Sequence, residues 1–136
     1  MKTKYIMNLT KKIALTAAVG FFVNLTFGQS VQDGINYVDS QKYAKAKQNF
    51  TDLINQNPKE ASNYFYLGNT YLTQFDPNFT EAQESFNKGL AADPKSYLNK
   101  IGLASIKLGK GDKSAIAEIQ QIVKDSKEKD AEVLFR

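Results

Sequence analysis

Few residues in this chain could carry out chemistry. Its 136 residues include no histidine, no cysteine and no tryptophan. A serine without a histidine base lacks its usual activation, which leaves only serine–lysine pairing. Ser105 and Ser114 sit in helical surface patterns, and nothing in the sequence signals a buried lysine beside them. The lack of cysteine removes disulfides, thiolate chemistry, soft-metal sites and lipid attachment at a cysteine. Asp76-x-Asn78-x-Thr80 sets oxygen atoms at alternate positions, as the front of a calcium loop does. That loop would need glycine where Glu81 stands and a bidentate glutamate where Asn87 stands. The segment reads instead as a proline-containing turn, with Thr80 capping a helix. Glu81 and Glu84 are one helical turn apart and read as the solvated start of that helix, where the dipole favours negative charge. The expectation is a protein without catalytic residues, metal or cofactor, and not an enzyme.

The aromatic residues give a lead toward binding. Tyr64, Phe65, Tyr66, Tyr71, Phe75 and Phe79 crowd sixteen positions. Around them the apolar spacing is helical: Ala46, Phe50, Leu53 and Ile54 share one face, and so do Tyr64, Leu67, Gly68 and Tyr71. Ala82, Phe86 and Leu90 continue it, followed by Ala115, Ile119, Ile122 and Val123. No alternating stretch is long enough for a strand. Asn57-Pro58 and Asp93-Pro94 supply a capping side chain with proline at the first helical position. Thr80 with Gln83 forms a capping box, and Gly109 with Gly111 marks a helix end. These signals predict helices near 30–40, 42–56, 59–74, 80–92, 95–108 and 112–127. Their short connections predict antiparallel neighbours.

The segments repeat. Ala46, Phe50 and Pro58 return 36 residues later as Ala82, Phe86 and Pro94. Gly34 and Tyr37 have the same offset as Gly68 and Tyr71. A fixed period of this size marks stacked units that bury their apolar faces against each other. Small Gly34, Ala46, Gly68, Ala82 and Ala104 would let helices approach. Large Tyr37, Phe50, Tyr64, Tyr71 and Phe86 would fill the space between them.

Tyr64-x-x-Leu67-Gly68-x-x-Tyr71, then Ala82-x-x-x-Phe86, then Pro94, resembles the tetratricopeptide repeat. That family stacks helix–turn–helix units of about 34 residues. The unit here is two residues longer, and the extra pair fits the turn from Phe75 to Phe79. In the third unit Leu103 and Ala104 follow Pro94 as Leu67 and Gly68 follow Pro58, but Lys107 replaces the tyrosine. The resemblance implies a right-handed all-α solenoid of about six helices, with units near 29–60, 61–96 and 97–129 and a partial unit at 130–136. It also implies a concave groove for a peptide, lined by the first helix of each unit. Matching by offset from the motif glycine places Val31, Ile35 and Val38 there, then Phe65, Asn69, Leu72 and Thr73. Asp39 falls at the corresponding first-unit position, and Ile101, Ser105 and Leu108 follow in the third. Asn69 could hydrogen-bond a peptide backbone.

The chain's beginning predicts export. Lys2, Lys4, Lys11 and Lys12 precede an apolar run from Ile13 to Phe27, and Thr26 and Gly28 are small residues at signal-peptidase spacing. Cleavage is expected between Gly28 and Gln29, making residues 1–28 a signal peptide and 29–136 the repeat domain. The run is shorter than the roughly 20 residues of a membrane span. Membrane contact is thus expected only through an uncleaved signal. The 18 basic and 14 acidic residues become 14 of each once the signal is removed, leaving no basic excess for nucleic acid. The sequence reading is a periplasmic or secreted bacterial scaffold that binds a protein or peptide. Its alternative is a purely structural N-terminal segment of a longer envelope repeat protein. Leu134 and Phe135 would then form an apolar C-terminal edge for self-association.

Overall fold

The computed structural model describes residues 28–126, and among them six helices follow one another without a strand. They are α1 (Val31–Asp39), α2 (Tyr43–Gln56), α3 (Ala61–Thr73), α4 (Phe79–Ala92), α5 (Tyr97–Gly109) and α6 (Ala115–Ser126). The expected all-α class is observed, and every boundary falls within three residues of its expected place.

Three expected helix starts need correction. α3 begins under Glu60 rather than Asn57, and α5 begins under Ser96 rather than Asp93. Asn57 instead closes α2: its N–H donates to the Leu53 carbonyl, and its own carbonyl accepts from Glu60. One 36-residue step later Asp93 does the same between Gly89 and Ser96. A residue before proline is pushed out of the helical region, so each next helix starts only after this turn has closed. α4 begins under Asn78, whose side chain accepts from the Glu81 N–H, and not under Thr80. The capping box lies elsewhere, at Ser30 and Asp33 ahead of α1.

Packing follows the alternation of small and large residues. Phe50 of α2 is 1% exposed, faces Gly34 of α1 and stacks on Tyr66 of α3 at 5.4 Å between ring centroids. Phe86 of α4 repeats this one step along, between Gly68 of α3 and Gly102 of α5. Ala46, Ala82 and Ala104 are completely buried beside them. Burying one such ring contributes about 1.5–3 kcal/mol.

Sequential helices pack as antiparallel neighbours. Tyr43 at the start of α2 bonds Thr73 at the end of α3, and Tyr97 at the start of α5 bonds Asp125 near the end of α6. The odd helices also approach in series, α1 on α3 and α3 on α5, whereas the backbones of α2, α4 and α6 stay apart from one another. The result is a continuous layer of α1, α3 and α5, with the other three helices set apart on it.

Candidate binding site

On α1 the expected groove residues Val31, Ile35 and Val38 are half-buried and pack partly against the core. Leu72 of α3 and Ile101 of α5 do likewise. Asn69 and Ser105 are half-buried, while Asp39, Thr73 and Leu108 are exposed. The Thr73 hydroxyl donates to the Asn69 carbonyl at 3.1 Å, so it is engaged with its own helix. Because α1, α3 and α5 touch in series, these residues lie on one layer.

Phe65 does not belong with them. It is 5% exposed, with its ring 5.6 Å from Tyr66 edge to face and 6.0 Å from Phe86. It packs into the core beside Phe86 and Tyr66. The aromatic cluster is therefore largely core: only Phe75, on the loop after α3, is fully exposed.

The Asp76-to-Thr80 segment lines a cleft of about 540 Å³ together with Lys47, Tyr71 and Gln74. The oxygen of Asn78 is committed to the Glu81 N–H at 3.1 Å. Among the described residues no group of three or more carboxylates, histidines or cysteines could hold a metal.

A groove absent from the sequence reading lies across α5, between α4 and α6. Its volume is about 440 Å³. Leu103, Ile106 and Ile122 give it apolar surface, and Lys100, Lys107 and Lys110 stand at its sides. Lys107 pairs with Glu118 of α6 at 2.7 Å. Lys100 lies over the Tyr97 ring at 5.6 Å and Lys110 over the Phe79 ring at 5.8 Å. The signal for it was present in the repeat: stepping 36 residues from Tyr64 and Tyr71 lands on Lys100 and Lys107.

In the preceding hairpin the matching place holds the cleft of about 540 Å³ described above: its Lys47, Tyr71 and Gln74 step 36 residues to Gln83, Lys107 and Lys110. Tyr64 donates its hydroxyl to the Pro58 carbonyl at 3.0 Å. Tyr71 lies under the Lys47 ammonium at 5.1 Å. Burial, then the nearby Glu81 and Glu84 carboxylates, push the Tyr71 hydroxyl pKa up.

Gly28 and Gln29 are exposed ahead of α1. The remainder of the expected signal, and the apolar edge at Leu134 and Phe135, fall outside the described residues. No helix among the described residues is long and apolar enough to cross a membrane.

Among the described residues this geometry defines an all-helical protein. No protein-family model matches the chain, and no curated protein matches it either.

Proposed function

We propose that the chain is an exported scaffold of tetratricopeptide-like hairpins that binds a protein or peptide on the α1–α3–α5 layer. The serial approach of the odd helices, with the backbones of the even ones apart, carries this reading. Such packing supports a stack in which each hairpin needs its neighbour. The binding surface is Val31, Ile35, Val38, Asn69, Leu72 and Thr73, with Ser105 and Leu108 at its far side. Phe65 lies beneath it as support. The N-terminal sequence supports export, with Gln29 as the first residue of the mature chain; mass analysis after bacterial expression tests that point.

For the surface, a random-peptide library displayed on phage would be selected against the protein. Selected peptides should lose binding to Leu72→Asp and Val38→Asp, with helicity by circular dichroism unchanged. Peptides that bind both variants as well as the parent would count against this surface.

A structural role is the second reading, favoured by α6. The backbone of that helix approaches only that of α5, and Ile116 on it is 48% exposed. A further hairpin or a second copy would cover it. Concentration-dependent association in sedimentation, lost in Ile116→Asp, would support that role.

A further inference from the structure

We infer that the groove between α4 and α6 takes an acidic peptide segment that presents an apolar side chain beside its carboxylates. The groove owes its charge to a repeated position that changes type. The preceding hairpin carries Tyr64 and Tyr71, the latter lining its own cleft of about 540 Å³; their counterparts one 36-residue step later are Lys100 and Lys107. An ammonium group cannot enter an apolar interior without a partner. Lysine instead lays its stem on apolar surface and keeps its charge in water. About 440 Å³ stays open over Leu103, Ile106 and Ile122, with the lysines at its sides. Clefts of this size accommodate a large apolar side chain together with part of its backbone.

Charge selects the occupant. Lys107 has its carboxylate partner in Glu118. Lys100 and Lys110 have none within ion-pair distance among the described residues, and each is held over an aromatic face. Two cations above an apolar floor complement a segment that alternates leucine or phenylalanine with aspartate or glutamate. On the helical wheel these lysines lie on the side of α5 away from Ile101, Ser105 and Leu108, so the groove is a surface separate from the α1–α3–α5 layer.

Fluorescence anisotropy with three synthetic peptides on the full chain tests this. One alternates phenylalanine with aspartate, one replaces the acids by lysine, and one replaces the phenylalanines by serine. The first should bind at least about tenfold more tightly than either control, and added salt should weaken it. Lys100→Tyr with Lys107→Tyr gives these positions the residues of the preceding hairpin, removes two ammonium groups, and should abolish binding without lowering the melting temperature. Lys100→Glu with Lys110→Glu should transfer preference to the lysine peptide, and decides the matter if the tyrosine variant does not fold. Leu72→Asp should leave this binding unchanged, which separates it from the α1–α3–α5 surface. Equal binding of all three peptides, or no binding of any at millimolar concentration, would overturn the assignment. So would undiminished binding to a folded tyrosine variant. Binding that emerges only when residues 127–136 are deleted would overturn it as well, giving the groove to the chain's own tail.

Discussion

Gly68 of α3 and Gly102 of α5 approach the same edge of the Phe86 ring: a Cβ on either would stand 2.5 Å from its Cε1 atom. Phe86 has no exposed surface, so the ring has nowhere to retreat. Alanine within a helix is favoured over glycine by about 1 kcal/mol. Overpacking a tight core costs about 1–3 kcal/mol. Gly102→Ala should therefore destabilise the protein in urea despite the better helix former. Phe86→Leu in that background should recover part of the loss, and a double-mutant cycle would measure the coupling. Additive effects of the two changes would show that the ring and the glycine do not share this space.

Asn99 joins layers in a different way. It is wholly buried, and its Nδ2 donates to the Ala61 carbonyl at 2.9 Å and to the Ser96 hydroxyl at 2.9 Å. One bond thus ties the start of α5 to the start of α3. Asn49 plays a similar part, donating to the Ser30 carbonyl ahead of α1 at 3.0 Å. Asn99→Leu removes the bond and leaves a carbonyl near an apolar group, at a cost of about 1–3 kcal/mol. Asn99→Ala adds a cavity beside Gly89 and should cost more. Equilibrium unfolding compares them; a neutral Asn99→Leu would mean that this bond adds nothing net.

How far the sequence foretells the molecule depends on the range of the force concerned. Apolar period and chain punctuation are local, so six helices and the burial of Ala46, Phe50, Ala82 and Phe86 were legible. The caps were less so, because Asn57 and Asp93 can end one helix as readily as begin the next. Only the closure of the Asn57–Glu60 and Asp93–Ser96 turns decides which. The Ser30–Asp33 box carried a readable signal at capping spacing, and the bonds of Asn49 to Ser30 and Asn99 to Ala61 carried none, since those carbonyls lie far away in sequence. Phe65 was misjudged for the same reason. Its ring neighbour Phe86 lies on a different helix.

That placement separates two substitutions which look alike in sequence. Phe65 is in the core, whereas Leu72 is half-buried on the layer surface. Phe65→Ala should cost about 3–5 kcal/mol, the usual loss for a buried ring. Leu72→Ala should cost less, because part of its side chain is already in water. Denaturant midpoints would show this order directly. Equal losses at the two positions would place Phe65 at the surface after all.

The capping box gives a pH dependence with a definite sign. The Asp33 carboxylate accepts from the Ser30 hydroxyl at 2.7 Å and from the Ser30 N–H at 3.0 Å. Both bonds need the ionised form, and they hold its pKa below the ordinary 3.8, the hydroxyl bond foremost. The unfolded chain therefore takes up this proton at a higher pH than the folded one. The contribution to stability is fully present above about 3.8, and fades as pH falls through the lower folded value. Asp112 follows the same rule ahead of α6, through its bonds from the Ser114 hydroxyl and N–H. Acidification should loosen the start of α1 first, read as faster amide exchange at Asp33 and Gly34. In Asp33→Asn the acid-induced change should vanish at those amides while persisting near Asp112. An NMR titration of Asp33 with a midpoint at or above 3.8 would show that the box does not hold α1 in solution.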